Sequence, residues 1–163
     1  MMKKELQDQL YETYPKLFAQ KDLPMTQTCM CWGIDTGDGW YNILNNACSL
    51  IQQRVDQPHE DIEMYEKWIN DEEDQAKIEQ WKERIEQAKE RIISVEFVQV
   101  KEKFGTLRLY HTSDDPYVRG IVSMAEFMSS TTCEICGNKG KSNSKGWITT
   151  LCDPCRENRF KSE

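Results

Sequence analysis

Four of the seven cysteines in this 163-residue chain fall into two pairs, Cys133-Glu134-Ile135-Cys136 and Cys152-Asp153-Pro154-Cys155, with 15 residues between the pairs. C-x2-C-x15-C-x2-C is the spacing of a zinc ribbon. Two thiolates separated by two residues reach one ion when the chain turns tightly between them, and two such knuckles close a tetrahedral shell. Gly137, just after the second cysteine, tolerates the backbone angles that this turn needs. A shell of four protein ligands leaves no open position for water, so the expected role is structural, with one Zn2+ held by Cys133, Cys136, Cys152 and Cys155. A redox pair and an iron–sulfur cluster are the alternatives. Between the pairs, Lys139 to Gly146 is too polar to form a core, and only Trp147, Ile148 and Leu151 can pack. This segment is therefore expected to take its shape from the metal.

The other candidate groups carry less chemistry. Cys29, Cys31 and Cys48 could complete a second site with His59 or His111, but Cys48 falls on an apolar helical stripe, where a free thiol behaves as a small hydrophobe. His59 and His111 are the two histidines of the chain, and neither sits beside a cysteine or serine motif. Asp35, Asp38, Asp114 and Asp115 each have a turn or cap role. There is no phosphate-cradling glycine loop, nucleophile elbow or HExxH. A non-catalytic protein is expected; an enzyme would have to work through Asp38, His111 or Asp115.

Charge is segregated along the chain. The formal net charge is −7. Residues 56–92 hold 13 acids against 6 bases and so account for the whole excess, the remainder balancing at 15 against 15. From 131 to 163 there are 6 bases against 4 acids. An acidic body repels a phosphate backbone, so nucleic acid would have to meet the C-terminal end, through Lys139, Lys141, Lys145, Arg156, Arg159 and Lys161, with Trp147 and Phe160 as stacking rings. Mean hydropathy is −0.76, and the apolar runs are too short for a membrane span. The N-terminal segment lacks the apolar stretch of a signal peptide. Cysteine pairs without a secretory signal point to a reducing compartment.

These groups must be positioned by the elements around them. Leu6, Leu10, Tyr14 and Leu17 recur at helical spacing, interrupted by Pro15. Thr28 to Ile34 reads as a short strand, and Asp35 to Gly39 as a turn that ends with Asp38 as a helix cap. Trp40, Leu44, Ala47, Cys48, Ile51 and Val55 form the apolar face of a helix expected to stop at Asp56-Gln57-Pro58. Ile62, Tyr65 and Ile69, then Ile78, Trp81, Ile85, Ala88 and Ile92, give two helical stripes out of phase with each other. The reading is an antiparallel hairpin turning at 70–74, with a single bent helix as the alternative. Ser94 to Val100 and Thr106 to His111 pair as a β-hairpin about Glu102–Gly105. Asp115 caps a helix with Pro116 at its first position and a buried stripe of Val118, Ile121, Val122, Ala125 and Met128. The expected fold is α+β: a body over residues 1–130 with a β-hairpin and an inserted acidic helical arm at 59–92, followed by a four-cysteine zinc ribbon and basic tail at 131–163.

Several stretches together resemble a family of small uncharacterised proteins encoded by tailed bacteriophages and prophages. They are Gly37-Asp38-Gly39-Trp40-Tyr41, Val98 to Arg108, Ala125-Glu126 ahead of the first CxxC-Gly, and Gly146-Trp147-Ile148-Thr149-Thr150-Leu151-Cys152. The resemblance covers most of the chain outside the acidic arm. It implies a zinc ribbon and expression in the cytoplasm of an infected bacterium, and it implies no activity. The functional expectation is a phage accessory protein that binds and modulates or inhibits a host protein complex, such as a defence or nucleic-acid-processing system. The alternatives are a nucleic-acid-binding zinc ribbon and, for the arm, a homodimer contact.

Overall fold

The computed structural model describes residues 1–143 and 146–160. It is an α+β fold. Helix α1 (Lys4–Thr13) buries Gln7 and Leu10 and stops before Pro15. Tyr14, Leu17 and Phe18 then enter the core from turns rather than from a continued helix. Thr28 to Ile34 is not a strand along its length: a 3-10 turn occupies Met30–Trp32, and β1 is only Ile34–Asp35. Asp38 does not cap the following helix. It accepts the Lys3 backbone N–H at 2.8 Å and pairs with the Lys3 ammonium at 3.1 Å, tying the N-terminus to the turn.

Helix α2 spans Tyr41–Asn70 and passes straight through Pro58, where the sequence suggests an end. Proline inside a helix removes one hydrogen bond and costs about 3 kcal/mol. That cost is offset because the apolar face of α2 continues up to it: Ile51, Val55 and Pro58 are all buried, and α3 (Gln75–Lys89) packs back along the helix. The acidic segment is therefore a helical hairpin whose first limb is the extension of the body's central helix. Asp74 caps α3 through the Ala76 N–H. Trp81 meets Trp68 at 5.6 Å between ring centroids, and Ile85 and Ala88 are buried at the base, whereas Ile92 is exposed. Arg91 bridges to Asp61 at 2.7 Å, and Arg54 donates to the Arg91 carbonyl, fixing the hairpin to its root.

Strand β2 (Phe97–Lys103) pairs parallel with β1 and antiparallel with β3 (Thr106–His111), giving the order β1-β2-β3. The inward residues Phe97, Val100, Leu107 and Leu109 join Trp40, Leu44, Ile51, Val118 and Val122 in one core. The hairpin closes on Phe104 and Gly105, both at positive φ (53° and 77°), the geometry of a two-residue primed turn. Gly105 adopts it freely. Phe104 does not, since a side chain in the left-handed region costs on the order of 1 kcal/mol.

Helix α4 (Pro116–Ser129) closes the sheet edge with its side chains. Ser129 Oγ accepts the Leu107 N–H at 2.8 Å and Glu126 Oε1 accepts the Leu109 N–H at 3.2 Å, so β3 presents no free donors at those positions. Its buried stripe runs Val118, Val122, Ala125 and Ser129, with Met128 outside, because the edge strand takes the serine hydroxyl as its partner. Asp115 accepts the N–H groups of Tyr117 and Val118 and forms an ion pair with Arg54 at 2.8 Å. Asp115→Ala is expected to remove a cap and leave Arg54 without its carboxylate, costing about 1–3 kcal/mol in chemical denaturation. Asp115→Asn, which keeps the cap acceptor, should lose clearly less.

Candidate metal centre

The ribbon is built from β4 (Lys141–Ser142) and β5 (Thr150–Leu151), an antiparallel pair, followed by α5 (Asp153–Phe160). In the first knuckle the Gly137 N–H donates to the Cys133 carbonyl at 2.9 Å, and the Cys133 N–H donates to the Asn138 carbonyl at 2.7 Å. Gly137 sits at φ 78°, the left-handed angle expected after the second cysteine. The second knuckle is a helix start: Cys152 immediately precedes α5, and Cys155 lies in its first turn, its backbone N–H bonding back to the Cys152 sulfur.

These turns bring Cys133, Cys136, Cys152 and Cys155 together, each sulfur within 4.8 Å of the others. Cys136 and Cys152 are 3.5 Å apart at their sulfurs. Burial pushes the Cys133 thiol up, but backbone N–H groups of Cys152, Cys136 and Ile135 bond to the sulfur and win, holding it at about 7. Cys155 moves the opposite way, chiefly through its bond to the Cys152 sulfur. Four neighbouring thiols cannot all ionise against their own repulsion; a cation at the centre removes that obstacle. The donor set and its geometry suit a metal ion. Among the described residues this is the one such cluster. Cys29, Cys31 and Cys48 are not gathered with His59 or His111: Cys48 is fully buried, where the missing solvation pushes its thiol up, and Cys31 Sγ bonds to the Thr28 carbonyl.

The ribbon is not hung on the body by a tether. Gly37-Asp38-Gly39 lies against the first knuckle: the Gly39 N–H donates to the Glu134 carbonyl at 2.8 Å, the Gly37 N–H to Glu134 Oε1 at 3.0 Å, and the Trp40 indole to the Thr132 carbonyl at 2.8 Å. From the other side, Thr150 Oγ1 donates to the Gly105 carbonyl at the tip of the β2–β3 hairpin. Burial raises the Glu134 carboxyl above its usual range despite the Gly37 bond. The roles of Glu134, Thr132, Thr150 and Gly105 are not visible in the cysteine spacing. The one available signal is Gly37-Asp38-Gly39-Trp40, a run with two small residues next to the largest one.

The basic residues of the ribbon divide. Lys141 pairs with Asp153 at 2.9 Å, and Arg156 donates to the Lys141 and Leu151 carbonyls, so both brace the fold. Lys139, Arg159 and Trp147 are exposed. Lys145, Lys161 and the Phe160 side chain lie outside the described residues. Of the groups considered for catalysis, Asp38 is bound to Lys3, Asp115 caps α4, and His111 is half-buried, its acidity increased by loss of solvent. Among the described residues no helix is long and apolar enough to cross a membrane. Comparison with protein-family models, with curated proteins and with solved structures returns no match for the chain.

Proposed function

We propose that this chain is a non-catalytic binding protein, in which zinc held by Cys133, Cys136, Cys152 and Cys155 stiffens the ribbon and the acidic helical arm is the surface offered to a partner protein. Zinc is the metal favoured by four thiolates in a closed shell: a Zn–S bond of about 2.3 Å sets neighbouring sulfurs about 3.8 Å apart in a tetrahedron. The four sulfurs already lie near that spacing.

The observation that carries the binding role is the arm. Glu60, Glu63, Glu66, Glu73, Glu83 and Glu90 are exposed, and among the described residues none has a salt-bridge partner. A hairpin anchored by Arg54, Arg91 and the Trp68–Trp81 contact holds those carboxylates on a fixed frame. Such a frame steers and holds a basic protein surface, as acidic groups do when they occupy a groove meant for phosphates. The resemblance to phage-encoded proteins supports a bacterial host protein as that partner and the bacterial cytoplasm as the place of action. Asp38 ties down Lys3 and Asp115 caps α4 and pairs with Arg54, which supports the non-catalytic reading.

The test replaces those six glutamates with glutamine. The hairpin frame should survive, since none of the six makes an ion pair in it. Partners captured from the bacterial host by the native chain should be lost by the variant, with the association rate of a purified partner falling steeply and losing its salt dependence. Equal capture by both proteins would remove the arm from the mechanism.

A further inference from the structure

Two exposed rings frame a cleft that neither the core nor the metal shell uses. Phe104 at the tip of the β2–β3 hairpin and Trp147 on the ribbon are 69% and 76% exposed. The cleft between them, about 360 Å3, is lined by Glu102, Lys103, Phe104, Gly146, Trp147 and Ile148. Phe104 is out of place by every local rule. Its φ of 53° is one that asparagine or glycine adopts far more readily in this turn, and the ring is left 69% exposed, with the Lys103 ammonium 5.5 Å from its centroid. Strain kept at an exposed aromatic residue points to a ligand.

The two walls are held in fixed relation. Thr150 Oγ1 bonds to the Gly105 carbonyl, and a side chain on Gly105 would already meet Ile148 and Thr149 at 3.0 and 3.3 Å. Charge then selects the ligand. The hairpin, residues 97–111, carries Lys101, Lys103 and Arg108 against Glu102 alone, in a chain that is otherwise acidic. Among the described residues Lys101 and Lys103 have no carboxylate partner; their ammonium groups lie 5.5 Å from the ring centroids of Tyr110 and Phe104. Glu102 spends one carboxylate oxygen on the Gly105 N–H and has another to accept from an amino group.

Planar faces beside unpaired cations suit an unstacked base with its phosphates. We infer that the Phe104–Trp147 cleft binds single-stranded nucleic acid, a base entering between the two rings while the neighbouring phosphates meet Lys101 and Lys103. A duplex keeps its bases stacked inside and cannot fill the cleft. This goes beyond the arm-based reading, because the residues are different and the arm can fail without affecting it.

The test uses the full chain with its zinc and short fluorescein-labelled strands, DNA and RNA, followed by anisotropy at low salt. Single strands should bind, and binding should weaken steeply as salt rises. Phe104→Asn and Trp147→Ala should each weaken it by at least about fivefold, as lost base stacking does. Phe104→Asn should melt at or above the native temperature, since asparagine relieves the turn, so its loss of binding cannot be blamed on misfolding. The inference is overturned if no single strand binds, if a duplex binds equally well, if both variants bind like the native chain, or if polyglutamate or polyproline peptide displaces the strand as well as unlabelled oligonucleotide does.

Discussion

Alanine at Cys136 is expected to abolish stoichiometric metal and to lower the melting temperature of the whole chain, not of the ribbon alone. The local part follows from composition. Among the described residues, those buried and apolar around the four sulfurs amount to little more than Leu151 and the cysteines themselves. A cluster that small offers little against the conformational entropy of ordering the ribbon. Structural zinc supplies apparent free energies on the order of 10 kcal/mol in small fingers, and that is what a missing ligand puts at risk.

The wider part follows from where the knuckle sits. Trp40 is fully buried, and its indole N–H ends on the Thr132 carbonyl, one residue before Cys133. When the ribbon melts, that ring and the Gly39 N–H are opened to water, and the first turn of α2 loses its cover. Elemental analysis should find one zinc per native chain and well under half in Cys136→Ala. Calorimetry should show the variant's main transition lowered by about four to eight degrees, the scale of a loss of about 2 kcal/mol in a domain of this size. A variant that has lost its metal but melts as the native chain does would mean that the ribbon is only an appendage.

The four-cysteine cluster is legible in the sequence because its chemistry is local: two CxxC pairs at ribbon spacing name the four sulfurs that the fold brings together. Much of the body is legible for the same reason, since the β-branched and aromatic run of β2, the alternation in β3, the Asp115-Pro116 helix start and the two out-of-phase stripes of the arm are short-range patterns. What cannot be read depends on contacts far along the chain. Pro58 has the local propensity of a stop, yet α3 returns from residue 75 onwards to pack on α2 and holds the helix through it. Asp38 has the neighbours of a cap, but Lys3 claims it from 35 residues away. Ser129 takes the place of Met128 in the buried stripe because an edge strand needs an acceptor. Gly37-Asp38-Gly39, too short to mean anything as a phosphate loop, is the seat of the first knuckle. The stretches around Trp40, Gly105, Glu126 and Thr150 all border the ribbon or the sheet edge beside it.

That seat gives the sharpest separation between holding the metal and using it. A Cβ on Gly39 would lie 2.2 Å from the Cys133 carbonyl oxygen and 2.5 Å from the Gly137 nitrogen. Both are backbone atoms of the knuckle, fixed by their own hydrogen bonds, so neither can yield as a flexible side chain would. Gly39→Ala is therefore expected to force the ribbon off the body and to cost about 3 kcal/mol or more, the upper end of overpacking effects. The four ligands are untouched, so the metal content should remain one per chain. Gly120, mid-way along α4 with nothing near its missing Cβ, is the matched control. There alanine should stabilise by about 0.5–1 kcal/mol through helix propensity alone. If the docking of the knuckle orders the hairpin tip as well, Gly39→Ala should also loosen the Thr150–Gly105 contact. Faster hydrogen exchange at the Thr106 and Leu107 amides, with zinc still bound, would register that loosening; exchange and stability both unchanged in Gly39→Ala would show that the knuckle folds without leaning on the body.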